Sequence, residues 1–474
     1  MSEPVPHTVV GLLASSSARV IDCHGTVRTA ADILKAGIQL AGRLTAAGIA
    51  PGDRVAVQMT NTPCYLDLLA AAAIGRFVIM SVNTRFSDSL AASLIQRSGA
   101  RLVLRDSAEV AALPERVEVN AAETQPEDRF VIFTTSGTTS DPKLVVHSQR
   151  SIAHHAAEVA RTFGYTAAST VLIPLPLCGT FALTALFGAV AGNATIVVPE
   201  VFDVADVAGL IETHQVTSMH APDDAFHRLL ESGANLGSIT TAGYGRFNSS
   251  LDGIVERALV HGLRLSGIYG MSEVQALYSF RQPSEPDSTR WLAGGTLTSP
   301  TADYRVVDGE LQLKGPSLFE GYLRDGGSEV DAALTAANHD DGWFRTGDLA
   351  EAEGPRSFRF VTRLGDTMRL GGFLVAPAEI EAAILELAEI VAAQVVAVDL
   401  PAGSRPVAFV LMAAGETLDE HRVITHCQAT LAKFKSPVRV VALDAFPVTD
   451  GPNGVKIQRT QLRSQAKDLL GEQT

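Results

Sequence analysis

Apolar residues recur along this chain in two alternating rhythms. Residues 31–48 place Leu34, Ile38, Ala41 and Leu44 at helical spacing and stop at Gly48. A Pro51-Gly52-Asp53 turn then leads into Arg54-Val-Ala-Val-Gln-Met, a strand. Pro63 opens a helix that runs to about Gly75. Phe77-Val-Ile-Met-Ser-Val reads as a strand, 88–98 as a helix closed by Gly99, and Arg101-Leu-Val-Leu as the next strand. Helix and strand in turn are the rhythm of βαβ units, so the pattern predicts an α/β fold with a mostly parallel sheet.

Residues 110–127, rich in Ala, Glu and Pro, read as a connecting loop before the strand Phe130-Val-Ile-Phe. A second alternating series follows. Its strand candidates are Val171-Leu-Ile, Thr195-Ile-Val-Val, Val216-Thr-Ser, Ser238-Ile-Thr-Thr and Leu263-Arg-Leu-Ser, with helices near 180–191, 204–214, 223–232 and 250–261. Within it, 162–199 carries no charged residue, but Pro174, Pro176, Gly179, Gly188, Gly192 and Asn193 interrupt it. No spanning helix of about 20 apolar residues is available there. A strand, helix and strand buried in an α/β core account for it.

From about residue 290 the texture turns to β, with Tyr304-Arg-Val-Val, Asp308-Gly309 and Glu310-Leu-Gln-Leu-Lys forming a hairpin signal. After Arg363-Leu-Gly-Asp366 a small module begins, so the expected division is 1–364 and 365–474. The first is a large domain of layered α/β subdomains plus a β subdomain; the second is a small α+β domain. Pro377 suits a first helical position, with Glu379 and Glu381 in the first turn and Ile380, Ile384 and Leu387 on the apolar face.

Composition narrows the class without naming it. The 474 residues are 46% hydrophobic and 19% charged with a net charge of −14, which gives no electrostatic case for nucleic acid or an anionic membrane. Cys23, Cys64, Cys178 and Cys427 form no Cys-x-x-Cys pair, so reduced thiols and a cytoplasmic location are the expectation. The first residues show no basic region followed by an apolar run, hence no signal peptide is expected.

The chemistry concentrates at 133–147, where Thr135, Ser136, Gly137, Thr138 and Thr139 follow an apolar strand and Lys143 comes just after Pro142. Backbone N–H groups, short hydroxyls and one mobile cation are what a polyphosphate needs. The Walker spacing is absent, since Lys143 lies between Pro142 and Leu144. Met alone, such a loop is a surface turn about as often as a site. Four further motifs change that balance: Tyr269-Gly-Met-Ser-Glu273; Gly342-Trp-Phe-Arg-Thr-Gly-Asp348; Arg363-Leu-Gly-Asp-x-x-Arg-Leu-Gly-Gly372 with Pro377-x-Glu-Ile-Glu381; and Gly454-Val-Lys456-x-x-Arg459.

Five motifs in that order resemble the adenylate-forming superfamily of acyl-CoA synthetases, carrier-protein adenylation domains and luciferases. The resemblance spans nearly the whole chain. It implies attack of a carboxylate on the α-phosphorus of ATP, giving acyl-adenylate and pyrophosphate, and then transfer of the acyl group to a thiol. By that resemblance Thr135, Ser136, Gly137, Thr138, Thr139 and Lys143 would hold the β- and γ-phosphates. Glu273 would bind Mg²⁺, and Tyr269 would lie against adenine, with Gly243, Tyr244, Gly245, Gly270, Met271 and Ser272 completing the nucleotide site. Asp348 would accept from the ribose hydroxyls, and Arg363 would contact the ribose and phosphate. Lys456 would stabilise the adenylation transition state. Gly371 and Gly372 would let a pantetheine arm pass, and Gly365 would be the hinge of a rotating small domain.

Some residues invite other readings. His147, His154 and His155 lack a Ser/His/Asp pattern or a Gly-x-Ser-x-Gly elbow and read as packing or surface residues, while Glu379 and Glu381 read as a helix start. Four positions depart from the resemblance: Ser140 and Leu144 stand where glycine is usual, Gly365 where Asp or Lys is, and Val455 separates Gly454 from Lys456.

The acyl pocket is expected between the 176–186 helix start, a loop at 241–246 and a loop at 266–272. Its lining would be Cys178, Gly179, Phe181, Ala182, Ala242, Gly243, Tyr244 and Ile268. This points to a hydrophobic or aromatic carboxylic acid as substrate, with ATP and CoA as co-substrates. A separate carrier protein is the alternative acceptor, and a nucleotide-binding scaffold without turnover is the alternative from another class. The oligomeric state stays open, a homodimer being one option.

Overall fold

A computed structural model of the protein describes residues 6–135, 142–247, 253–370, 373–400, 403–451 and 454–471. Of residues 373–374, 399–400, 449–451, 454–456 and 471 it describes the backbone alone. The first alternating series builds a six-stranded sheet. Strands Arg54–Val57, Val78–Ser81, Leu102–Leu104 and Arg129–Thr134 are parallel in it, and Leu144–Ser148 and Gly321–Tyr322 extend it antiparallel. The expected helices appear at Ala30–Ala46, Pro63–Gly75 and Asp88–Ser98. Local chemistry explains their ends: Thr29 and Asp32 form a capping box, Pro63 is at the first turn, and Gly99 closes the third helix in the left-handed region.

The second series builds a 14-stranded sheet. Strands Thr170–Leu172, Thr195–Val197, Ser218–Pro222, Thr241–Gly245 and Leu265–Met271 are parallel, and the β-rich region from Gln275–Phe280 to Ser357–Arg363 continues the sheet antiparallel. The uncharged stretch forms strand, helix and strand as expected. Its helix, Thr180–Ala191, is buried on all sides apart from its last residue, because the core around it takes residues from both sheets, among them Val57, Ile79, Val171 and Ile196. Among the elements unread in the sequence are the helix Val9–Ser15, the strand Arg19–Ile21 on Thr195–Val197, and the amphipathic helix Gln149–Phe163. Residues 110–127 are mostly irregular and cross the first long helix at Gly42, where a Cβ would lie 2.2 Å from the Val117 carbonyl oxygen.

Strands expected to start at 216, 238 and 263 lie two or three residues further on. Parallel pairing of Ser218 with Thr241 and of Gly243 with Ser266 sets their register, and glycine-rich strand segments carry no side-chain pattern to announce it. The same shift corrects the pocket loops, since 241–245 and 265–271 are strands.

Among the described residues, the strands from Met368 onward form small sheets of their own, and their core, including Leu370, Ile380, Val395 and Val410, is a separate cluster. The link is a short 3₁₀ turn, Leu364–Asp366. No helix among the described residues is long and apolar enough to cross a membrane.

Backbone proximity is tightest at Gly267, where an added Cβ would sit 2.0 Å from the Leu292 carbonyl oxygen. Gly267→Ala is expected to destabilise the fold by about 1–3 kcal/mol, read as a lower urea midpoint at unchanged slope.

Candidate active site

The strands Arg129–Thr134 and Leu144–Ser148 place the hydroxyl-rich loop, and its base is tied shut. Thr135 donates its N–H to the Lys143 carbonyl at 3.0 Å, and the Lys143 N–H donates to Thr135 Oγ1 at 2.9 Å. Ser136, Gly137, Thr138, Thr139 and Ser140 lie outside the described residues. Leu144, in place of the usual glycine, is buried and paired with Thr134, so its backbone is that of a strand and needs no glycine freedom.

Lys143 points back along the sheet. Its Nζ lies 4.4 Å from the centre of the Tyr322 ring and 3.4 Å from Asn338 Oδ1. Tyr322, on the two-residue strand paired with Val145 and Val146, donates its hydroxyl to Glu273 Oε1 at 2.9 Å. Glu273 is 5% exposed, and burial raises its pKa above the ordinary carboxylate value. The Tyr322 hydroxyl pulls it back, as do the charges of Arg363 and Lys143. Neither Tyr322 nor Asn338 belongs to a motif read in the sequence. A Gly-Tyr pair in a two-residue strand has no period to reveal it.

The segment bearing Glu273 is held on both sides. Gln275 and Leu277 adopt positive φ of 65° and 59°, an uncommon conformation for residues with side chains. A Cβ on Gly270 would lie 2.6 Å from Ala276 Cα, so the chain can double back there only with glycine. His147 Nε2 meets the Ser272 carbonyl at 2.7 Å, and His155 Nε2 meets that of Ala276 at 2.7 Å. Burial pushes both imidazoles down to about 4, so they are neutral props with the proton assigned to Nε2 by the acceptor each faces. The expectation that His147 and His155 pack rather than react agrees with this; His154 is half-buried beside Glu158.

The second half of the site lies on neighbouring strands. Asp348 and Arg363 are directly opposite in register, with Arg363 Nε 3.0 Å from Asp348 Oδ1, and Arg363 also donates to the Thr346 carbonyl at 3.2 Å. Tyr269 donates its hydroxyl to Asp348 Oδ2 at 2.6 Å, while its ring packs edge-on to Phe358 with centroids 5.2 Å apart. The buried Asp348 is thereby fixed by two partners, and burial with that carboxylate beside it drives the Tyr269 pKa up. Met271 and Ser272 lie in the same turn, Ser272 Oγ donating to the Thr134 carbonyl at 3.3 Å.

The expected acyl lining divides between two faces of a sheet. Cys178, Phe181, Ala182 and Ile268 share one core, where Gly179 caps the buried helix and burial pushes the Cys178 thiol up to about 12. Gly243 and Gly245 face that side, a Cβ on Gly245 lying 3.7 Å from Phe181 Cε1. Ala242 and Tyr244 do not line it. Strand alternation turns them into the other core, where Tyr244 packs near Phe226.

In the small unit Lys456 lies in the strand Gly454–Ile457, opposite Thr449; its side chain lies outside the described residues, as do Gly371 and Gly372. Glu381 proves to be more than a helix-start charge. It is buried, accepts the Val395 N–H at 3.0 Å and pairs with Arg459 at 2.9 Å, because Arg459 begins the helix after the lysine strand. Gly365 accepts from Arg463 through its carbonyl at 2.9 Å, and the neighbouring Asp366 pairs with the same guanidinium at 2.9 Å.

Residues 16–323 match the family model described as AMP-binding enzyme, and residues 379–450 match that of the AMP-binding enzyme C-terminal domain. The chain is 28% identical to 3-[(3aS,4S,7aS)-7a-methyl-1,5-dioxo-octahydro-1H-inden-4-yl]propanoyl:CoA ligase of Mycobacterium tuberculosis, over 92% of this chain and 93% of that one. It is 27% identical to 2-succinylbenzoate–CoA ligase of Listeria monocytogenes, over 93% and 95%. Its fold matches o-succinylbenzoate CoA synthetase from Bacillus subtilis in complex with its acyl-adenylate intermediate, with a TM-score of 0.82 at 24% identity and 96% of each chain covered.

The chain therefore belongs to the AMP-binding enzyme family, in the acyl-CoA synthetase branch of the adenylate-forming superfamily. It is an acid–thiol ligase that activates a carboxylic acid with ATP and forms a CoA thioester.

The buried His147 and His155 give a pH prediction, and the buried His220 acts in the same direction. An unfolded histidine takes up a proton near 6.5, whereas His147 and His155 do so only near 4. The unfolded chain thus binds more protons in that window, and stability should fall as pH drops from 6.5 toward 4. Urea unfolding at about pH 7 and about pH 5 checks this, and His155→Gln should flatten the difference.

Proposed function

We propose that this enzyme acts on a hydrophobic or aromatic carboxylic acid. One oxygen of the acid's carboxylate bonds to the α-phosphorus of ATP as the bond from that phosphorus to the bridging oxygen breaks, and pyrophosphate leaves. The CoA thiol then loses its proton and bonds to the acyl carbon, and AMP departs with the carboxyl oxygen. The observation that carries this reading is the joining of Lys143 to Glu273 through Tyr322, which puts a cation and a buried carboxylate at the base of the hydroxyl-rich loop.

Lys143 and the 135–139 hydroxyls would hold the departing phosphates, and Asp348 and Arg363 the ribose side. Lys456 would stabilise charge at the reacting phosphorus. Gly371 and Gly372 would flank the pantetheine, with the boundary of the moving unit at 364/365. Mg²⁺ fits Glu273 on the donor set. Among the described residues no three His, Cys, Asp or Glu gather to cage a metal, and a lone buried carboxylate suits an ion that takes its other ligands from phosphate and water. When bound, the ion would neutralise phosphate charge. The apolar surroundings of Phe181, Ala182 and Ile268 support a hydrophobic acid.

Lys456→Ala is expected to slow acyl-adenylate formation on the order of a hundredfold or more, yet leave thioester formation from supplied acyl-adenylate largely intact. A panel of acids scored by pyrophosphate release with and without CoA tests the whole reading. Equal loss of both half-reactions in the variant would refute the lysine's role. Release without thioester would move the acceptor to a carrier protein, and no release with any acid would favour a scaffold.

Tyr322→Phe keeps the ring under Lys143 and removes the donor to Glu273. Calorimetry with Mg²⁺ and ATP should show roughly tenfold weaker binding or more, with Tyr322→Leu losing further affinity.

A further inference from the structure

Behind the glycine face of the Thr241–Gly245 strand sits a side chain that neither the motifs nor the proposed mechanism uses. His220 is directly opposite Gly243 in the neighbouring strand Ser218–Pro222. Its Nδ1 accepts the Gly243 N–H at 3.0 Å and lies 2.2 Å from where a Gly243 Cβ would be. The imidazole therefore occupies the space that the glycine leaves free. Its Nε2 meets the hydroxyl of Tyr165, to which Ser218 Oγ donates at 3.3 Å.

The ring is wedged as well as bonded. Phe163 packs on it with centroids 4.5 Å apart, and Phe280 packs on Phe163 at 4.5 Å. Tyr165 in turn occupies the space above Gly192, which caps the C-terminus of the buried helix and where a Cβ would come within 2.4 Å of it. Burial holds His220 down to about 3, so the imidazole is neutral. With Nδ1 accepting, its proton is on Nε2 facing Tyr165, and both ring nitrogens are in use. A side chain with no free polar atom, fixed in an apolar wall, acts on a ligand through its shape.

We propose that His220, braced by Tyr165 and Phe163, is the plug that ends the acyl pocket behind Gly243 and restricts the enzyme to compact acids, an aryl or short branched chain, against long unbranched ones. This rests on the reading that the acid lies along Gly243, Gly245 and Phe181. One methylene too many in a tight apolar pocket costs roughly tenfold. A fixed plug would thus turn chain length into a steep selection.

The test is calorimetric binding of non-reacting acyl-sulfamoyl adenosines carrying hexanoyl, octanoyl, dodecanoyl and hexadecanoyl groups, with benzoyl as the aryl member. The wild-type enzyme should bind dodecanoyl far more weakly than hexanoyl. His220→Asn keeps an acceptor for the Gly243 N–H while removing the outer half of the ring, and it should raise the dodecanoyl-to-hexanoyl ratio about tenfold or more, as should His220→Ala. Using a ratio cancels any change in the nucleotide half of the site.

Equal or tighter dodecanoyl binding by the wild-type enzyme overturns the proposal without any variant, and so does an unchanged ratio in a variant with a normal unfolding transition. The same acids assayed for pyrophosphate release separate the two readings. A length cut-off that the variants move, with no release from any acid, would leave the plug standing and remove the activation reading.

Discussion

A carboxylate that is buried at the base of a loop proposed to hold phosphate must be kept charged, and much of this site is arranged around that requirement at Glu273. Burial favours its neutral form, so the hydroxyl of Tyr322 and the positive charges of Lys143 and Arg363 have to oppose the desolvation. Tyr322 does two things at once, offering its oxygen to the carboxylate and its ring face to the lysine. Through it the Leu144–Ser148 strand, the doubling chain at Gly270 and the distant Gly321–Tyr322 strand become one unit. The two neutral histidines complete that unit by gripping backbone rather than chemistry.

Much of the fold was legible because its first half keeps helix and strand in strict alternation, and capping residues such as Thr29, Pro63 and Gly99 mark the turns. Legibility failed where backbone pairing, not side-chain pattern, decides the structure. Gly243, Gly245, Gly267 and Gly270 sit in strands that look like loops in the sequence, and the lining assigned to Ala242 and Tyr244 went to the wrong face for the same reason. Of the candidate site, Lys143, Glu273, Asp348, Arg363 and Tyr269 were visible as ordered motifs, and the structure brings them into two connected groups. Tyr322, Asn338 and His220 were not visible, since each acts through a contact with a residue far away in the chain.

The two groups differ in character. Lys143, Tyr322 and Glu273 form a contact through a ring face and one hydroxyl, a geometry that can yield to an incoming polyphosphate. Asp348 is gripped by Tyr269 and Arg363, with Phe358 behind the tyrosine, and has little room to move. In the proposed roles of these residues, a nucleotide would meet a firm ribose side and a more adaptable phosphate side. That suits a reaction in which the phosphate end breaks away while the nucleoside stays.

The double grip of Arg463 on the Gly365 carbonyl and the Asp366 carboxylate has a mechanical meaning. It fastens the connecting turn to the C-terminal helix, and Arg459 adds a second tie from that helix to Glu381. Residues 365 and 366 are thereby tied to the small unit. One residue before them but one, Arg363 is moored to Asp348 on the large sheet. If the small unit swings as proposed, the short turn between these two moorings, which Thr367 closes by donating to the Leu364 carbonyl at 2.6 Å, is the stretch that would have to open, with Gly365 inside it.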